Sequence, residues 1–245
     1  MHRLIVTLLI LSPLVSLAST PIIGEHVQTA KERDYSYLCR INTSIETDDG
    51  EIESVCSGTL ISPNRVVTAA HCFAPGSEAN LHVTCGNKYM GSITEVHKPF
   101  GRYWNNNTDP REKDVAVITL KKPSPLDPIP YAEDPNAYFN ADGSLINGVS
   151  CFIAGFGTDD RGNFGELLVA EPKDVNFTFM NHVIEMRAIE GYLKTSVDHG
   201  DSGGSLICTD LQGKNKLVGI TSAYRYDRKQ SNRAANIFTA PWLNL

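Results

Sequence analysis

The pattern of this chain is that of an all-β protein. Short strand-like runs recur at 37–41, 59–61, 65–68, 81–84, 115–120, 151–154, 205–208 and 217–221. Clusters of Gly, Pro and Asn separate them, and no long amphipathic helix interrupts the series. At 245 residues and 41% hydrophobic content the chain can bury one large core or two smaller ones, and all-β chains of this size often form a single two-barrel unit. No internal repeat or low-complexity tract is present.

Residues 1–18 read as a secretory signal: Arg3 begins it, 4–17 form the apolar stretch, and Ser16-Leu17-Ala18 offers small residues to a signal peptidase. The apolar run is broken by Pro13 and is shorter than the roughly 20 residues a spanning helix needs, so export with cleavage is expected and a membrane anchor is not. No later segment is apolar enough for a bilayer. The protein is therefore expected to be secreted, extracellular or periplasmic, where six cysteines suggest three disulfides while leaving their pairing open. A net charge of -6 and the lack of any Lys/Arg run argue against nucleic acid or an acidic membrane surface as a partner.

Further along, 121–130 is rich in proline and reads as an extended connector. The expected division is 22–122 for an N-terminal barrel, 123–130 for the connector and 131–245 for a C-terminal barrel, with 19–21 as a short propeptide candidate.

Three segments carry chemistry. In Gly200-Asp201-Ser202-Gly203-Gly204 a serine is flanked by glycines that let the backbone approach a carbonyl closely. A serine alcohol is a poor nucleophile unless a neighbouring base takes its proton. Thr68-Ala69-Ala70-His71-Cys72 supplies an imidazole, the side chain whose ordinary titration range suits it to accept and return a proton near neutrality. Asp114 opens the strand-like run 115–120, where a carboxylate at the edge of a core requires hydrogen-bond donors. The remaining histidines, among them His26, His82, His97 and His182, lack such a context and read as surface or packing residues. The connector puts His71 and Asp114 on the first barrel and Ser202 on the second, so a site formed by the three lies in the cleft between them.

These blocks, in the order His, Asp, Ser, resemble those of the chymotrypsin/trypsin family of serine endopeptidases, and the resemblance extends from Ile22 to the C-terminus. It implies two six-stranded antiparallel β-barrels with the active site between them. Ser202 is then the nucleophile, His71 the general base and Asp114 the group that fixes the imidazole tautomer, while the Gly200 and Ser202 N–H groups form the oxyanion hole. The resemblance also implies bridges Cys56–Cys72 and Cys151–Cys208. Cys39 and Cys85 remain, both in segments expected as strands of the first barrel, and are expected to pair.

In this family an acid at the position of Asp201 pairs with the α-ammonium of a newly cut N-terminus, and Ile22-Ile23-Gly24 resembles the mature start. That implies a zymogen and an activating peptidase. Pro21 stands where the family usually has Arg or Lys, so trypsin-like activation is not expected. Signal cleavage after Ala18 leaves Ser19-Thr20-Pro21; cleavage after Ser19 leaves a dipeptide that a proline-specific aminodipeptidase can remove.

The resemblance maps the specificity pocket to Ser196 at its floor, with Ser222, Ala223, Tyr224 and Asn236 around it, and the strand 217–222 to main-chain pairing with substrate. Ser196 offers no charge to a basic guest, Tyr224 and Asn236 narrow the space, and Asp198 stands where the family often has cysteine. A preference for small or uncharged residues, or a pocket that opens as substrate binds, is expected rather than selectivity for Arg or Lys. The expected substrate is a polypeptide; esters would share the mechanism. The competing expectation is a catalytically silent, protease-like binding protein with an obstructed pocket. No cofactor and no metal are expected, and the chain is expected to be a monomer. Asn42, Asn106 and Asn176 lie in Asn-X-Ser/Thr patterns, and 241–245 falls about where the family begins a terminal helix.

Overall fold

The computed structural model describes residues 22–24, 27–47, 50–73, 80–98, 114–158, 164–180, 182–227 and 232–239. The signal segment, the propeptide candidate, His26, Asn106 and 241–245 lie outside the described residues.

Among the described residues the regular structure is all strands and short 3-10 turns. In chain order the strands are β1 (Ile23–Gly24), β2 (Val27–Thr29), β3 (Leu38–Thr47), β4 (Gly50–Ser62), β5 (Arg65–Thr68), β6 (His82–Cys85), β7 (Lys88–Tyr89), β8 (Ile93–His97) and β9 (Ala116–Leu120). They continue as β10 (Ser150–Gly155), β11 (Leu168–Ala170), β12 (Val175–Met180), β13 (Val183–Ala188), β14 (Thr195–Ser196), β15 (Ser205–Thr209), β16 (Asn215–Asp227) and β17 (Asn232–Thr239).

Two antiparallel sheets carry the fold. The first has the order β7-β6-β3-β4-β5-β9-β8, the second β12-β13-β17-β16-β15-β10-β11-β2. In the first, the end strands β7 and β8 are successive in the chain, separated only by 90–92. In the second, β11 and β12 are likewise successive, separated by 171–174. A sheet whose outer strands are two pieces of one interrupted strand is curled round on itself, and counting each interrupted strand once gives six per barrel. β2 is an addition to the second barrel.

The side-chain period of two builds three cores from these strands. On β5, Val66 faces the interior of the first barrel with Ile41, Leu60, Val83 and Ile118. Its neighbour Val67 faces the other way, into a core shared by Leu38, Val115, Phe156, Ile207 and Ile220 from both sheets. The second barrel holds Ile153, Ile184, Met186, Leu206, Val218 and Phe238. Each such aliphatic side chain contributes about 1.5–3 kcal/mol by leaving water. The shared core therefore presses the two sheets together along the line where the site lies.

The connector spans both sheets. The N–H groups of Ser124 and Ile129 donate to the carbonyls of Pro63 and Leu60 on one side, and Leu217 N–H donates to Pro130 O at 3.0 Å on the other. The chain intervals on either side are not closed units. β1 pairs with β14 and β2 with β11, so the N-terminal segment hydrogen-bonds to the second half of the chain.

Three disulfides are present. Cys39–Cys85 joins directly opposed residues of β3 and β6, and Cys151–Cys208 joins directly opposed residues of β10 and β15. Cys56–Cys72 ties β4 to the turn that carries His71. Closing a loop of that size contributes about 3 kcal/mol by restricting the unfolded chain.

Candidate active site

His71 lies in a single 3-10 turn, Ala70–Cys72, held by the Cys56 bridge behind it and by Asp114 beside it. Asp114 lies two residues before the first residue of β9 and is fully buried. Its carboxylate receives three donors. Oδ1 accepts the His71 backbone N–H at 2.9 Å, and Oδ2 lies 2.7 Å from His71 Nδ1 and accepts the Ser222 hydroxyl at 2.6 Å. A buried carboxylate is costly unless it is matched in this way.

Proton positions follow from these bonds. An ionised carboxylate only accepts, so the proton of a neutral imidazole sits on Nδ1 and leaves Nε2 as an acceptor. Nε2 is 2.7 Å from Ser202 Oγ. The serine hydroxyl therefore donates to it, and the three side chains form one directed row across the interface between the barrels.

The turn holding Ser202 is clamped from the first barrel. Ser57, on β4, donates its N–H to Ser202 O at 2.7 Å and its hydroxyl to Gly200 O at 2.9 Å, and accepts Phe156 N–H at 2.8 Å. Thr68 donates its hydroxyl to Ser57 O at 2.7 Å. Gly200 has φ +88°, and a Cβ there would stand 2.7 Å from the Gly157 Cα, so the position suits glycine.

Two backbone donors in this turn stay open. The His199 carbonyl accepts Thr158 N–H, and the Asp201 carbonyl accepts Gly204 N–H. In a trans peptide the following N–H points opposite the carbonyl. The N–H groups of Gly200 and Ser202 therefore face away from these donors, and among the described residues neither meets a protein acceptor.

A cavity of about 480 Å³ opens beside the row, lined by His71, Val197, Asp198, His199, Ser202, Thr221, Ser222, Ala223 and Tyr224. Of the expected pocket residues, Ser222 and Tyr224 line it. Ser196 and Asn236 do not: they are fully buried and hydrogen-bonded to each other. Ser196 donates its hydroxyl to Asn236 Oδ1 at 2.6 Å and Val197 donates its N–H to the same oxygen at 3.2 Å. Asn236 Nδ2 is buried and has no partner among the described residues. Leaving such a donor unpaired costs about 1–3 kcal/mol.

Asp201 is buried under the turn. Its Oδ1 accepts Gly157 N–H at 3.0 Å and its Oδ2 accepts Asp198 N–H at 2.9 Å. Ile22 is buried in the second-barrel core, and β1 sets Ile23 opposite Ser196. The N-terminal strand and the 196–201 segment are thus neighbours. Sequence reasoning did not find Ser57, the bond to it from Thr68 of the His71 segment, or the bond from Ser222 to Asp114; Ser57 and Ser222 meet partners distant in the chain, and nothing in the His71 segment marks the Thr68 hydroxyl as a donor.

A family model described as Trypsin matches residues 22–242. The chain is 30% identical over 191 residues to a trypsin of Saccharopolyspora erythraea, covering 73% of this chain and 78% of that one. It is 27% identical over 207 residues to human chymotrypsin-like elastase family member 3A, covering 77% and 74%. In fold it resembles neuropsin, a serine protease expressed in the limbic system of mouse brain, with TM-score 0.58 and 19% identity over 88% of this chain and 94% of that one. It also resembles an inactivated protease paralogue of the scabies mite, with TM-score 0.57 and 18% identity over 89% and 93%. The fold is that of the two-barrel, chymotrypsin-like serine proteases. The chain belongs to the trypsin family.

No helix among the described residues is long and apolar enough to cross a membrane.

Proposed function

We propose that the protein is a secreted serine endopeptidase that hydrolyses peptide bonds through an acyl-enzyme and is not selective for Arg or Lys. The observation that carries this reading is the row Ser202 Oγ, His71 Nε2, His71 Nδ1, Asp114 Oδ2, with 2.7 Å at each of its two hydrogen bonds. Ser202 Oγ attacks the substrate carbonyl carbon while its proton passes to His71 Nε2, and Asp114 stabilises the imidazolium. The carbonyl oxygen becomes an oxyanion and takes the open N–H groups of Gly200 and Ser202. His71 then protonates the leaving amine. Water, deprotonated by the same imidazole, releases the acid and regenerates the serine.

Maturation is read from the N-terminal strand. Removal of 1–18 and then of 19–21 by an activating peptidase frees Ile22, whose α-ammonium pairs with Asp201 and sets the Gly200 turn. The mature chain acts as a monomer on polypeptides outside the cell. A basic substrate residue finds a neutral Ser196 at the back, and Asp198, the carboxylate in the wall, already accepts His199 N–H at 2.7 Å.

One observation favours the competing reading of a silent binding protein: Ser196, the expected pocket floor, is buried away from the cavity with its hydroxyl bonded to Asn236. A serine-directed phosphonate separates the two. Mature protein beginning at Ile22 is expected to be labelled at Ser202; Ser202→Ala takes no label, and peptide turnover is expected to fall by on the order of 10⁶-fold in Ser202→Ala and in His71→Ala, and no further in the double variant. Unlabelled protein with an intact mature N-terminus would exclude the enzyme.

A further inference from the structure

We infer that the Ser57 hydroxyl is a positioning group for the oxyanion hole: from the first barrel it fixes the peptide that stands between the two open N–H groups of the second. The inference rests on the endopeptidase reading and adds a residue to that site. The N–H groups of Gly200 and Ser202 belong to the 199–200 and 201–202 peptides. Peptides are planar units joined at soft dihedrals, so the orientation of the 200–201 peptide sets how the two donors stand relative to each other. Gly200 gives little resistance to a rotation of that peptide. It has φ +88°, and a glycine takes either sign of φ about as readily. The hold has to come from hydrogen bonds.

The 200–201 peptide is held at both ends. Its N–H, that of Asp201, donates to Asp198 O at 3.1 Å. That bond stays inside the turn and moves with it. Its carbonyl, Gly200 O, accepts the Ser57 hydroxyl at 2.9 Å, from a residue of β4 that is 143 positions away in the chain. The same hydroxyl oxygen accepts the Phe156 N–H at 2.8 Å. A hydroxyl carries one proton, which fixes the direction: Phe156 N–H gives to Ser57 Oγ, and Ser57 gives to Gly200 O. Bonds chained in one direction polarise and strengthen one another. Ser57 is 1% exposed, and the Phe156 side chain lies in the core shared by both sheets. The oxyanion donors are therefore tied to the contact between the barrels and not to their own turn alone.

Ser57→Ala removes this hydroxyl and leaves the other contacts of the residue in place. The Ser57 N–H keeps its bond to Ser202 O, and Ser57 O still accepts the Thr68 hydroxyl. The nucleophile and the row through His71 to Asp114 keep their partners. Two buried backbone groups lose theirs, Gly200 O and Phe156 N–H, and a buried carbonyl without a donor favours any rotation that finds it one. A displaced donor matters most where charge develops on the substrate oxygen, in the transition state, and little to the bound peptide.

The test compares mature wild type with Ser57→Ala on one peptide substrate and on the matching peptide aldehyde, to which Ser202 Oγ adds to give a hemiacetal whose oxygen lies where the oxyanion forms. In Ser57→Ala, kcat is expected to fall by about tenfold to a hundredfold, less than for loss of a whole donor, with KM nearly unchanged. Aldehyde affinity is expected to fall by a similar factor. Binding of the uncleaved peptide to Ser202→Ala protein is expected to be the same with and without the Ser57 change, and the acid limb of the kcat profile, set by His71, is expected to stay in place. Ser57→Thr, which keeps the hydroxyl, is expected to recover most of the loss. A folded Ser57→Ala with wild-type kcat overturns the inference, as does a loss confined to KM or to the position of the acid limb with aldehyde affinity intact. Should Ser57→Ala not fold, Ser57→Cys keeps the inference falsifiable: a thiol fills the site but donates weakly, so wild-type kcat in that variant overturns it. Wild type that begins at Ile22 and neither takes the phosphonate nor turns over removes the endopeptidase reading and this inference with it, whereas an active wild type with no response at Ser57 removes this inference alone.

Discussion

The two sides of the cavity differ in how completely their polar atoms are matched. Toward Asp114 the chain supplies its own partners: three donors meet one carboxylate, and each link of the row to Ser202 is a short hydrogen bond. Toward Asn236 it does not, and a buried amide keeps two N–H groups without an acceptor among the described residues. A fully matched network holds one geometry, which suits groups that must meet a transition state without rearranging. An unmatched buried donor lacks that constraint and calls for a specific cause. The first arrangement fits the chemistry, which is the same for any peptide; the second leaves one polar group of the neighbouring core unmatched.

The largest effect that would break this contrast is at Gly200. An alanine there meets the Gly157 backbone at 2.7 Å and must keep φ near +88°, so the peptide is expected to turn and withdraw the Gly200 N–H. Loss of one such donor lowers kcat/KM by about 10²- to 10³-fold. Single-turnover acylation of Gly200→Ala, with the melting temperature read beside it, checks this. Acylation at the wild-type rate would mean that the open N–H groups take no part.

A smaller effect sharpens it. Ser222→Ala removes one of the three donors to buried Asp114 and leaves the other two in place. A hydrogen bond to a charged group contributes about 1.5–3 kcal/mol, so kcat/KM is expected to fall by roughly ten- to a hundredfold if the whole of it acts in the transition state. Ser222→Thr, which keeps a hydroxyl, is expected to recover most of the loss. Because Ser222 also lines the cavity, the measurement is made together on two peptides, with Gln and with Leu before the scissile bond. An equal loss on both places the residue with the chemistry, and an unequal loss places it with selection.

How much of this was legible in the sequence depends on whether the signal was local. The runs 65–68 and 115–120 coincide closely with β5 and β9, because both are short, apolar and buried on two faces. The proximity of His71, Asp114 and Ser202 was legible through three short motifs and their order. β4 was seen only at 59–61 of its thirteen residues, since its first part, with Glu51, Glu53 and Ser54, is an exposed arm of the hairpin with β3 and carries no apolar alternation. β12, β13 and β17 were not read at all; in β17, Asn232 and Arg233 begin a strand whose buried Asn236 gives no sign of its burial in composition. Ser57 was invisible for another reason. Its hydroxyl bonds reach 143 and 99 residues along the chain, and nothing beside Cys56 marks a serine as a clamp.

The smallest expected effect lies away from the cleft and tests whether fold and chemistry separate. Asp142 sits in the turn 140–144, where Ser144 gives its hydroxyl at 2.7 Å and its N–H at 2.9 Å to Asp142 Oδ1. The hydroxyl bond chiefly, then the N–H bond, holds this carboxyl below its ordinary value of 3.8. The turn is seated on β12, since Phe177 donates its N–H to Gly143 O at 2.8 Å. A carboxyl whose folded value is depressed stabilises the fold above the unfolded value, and the contribution is lost as pH falls through the folded one. Asp142→Asn removes that dependence. The difference in melting temperature between wild type and Asp142→Asn is therefore expected to be present at pH 6 and to close as pH falls below the ordinary value of 3.8, while phosphonate labelling at neutral pH stays the same. A gap that persists in acid would show that the difference does not arise from ionisation of Asp142, and a change in labelling would show that the turn on β12 is coupled to the row across the cleft.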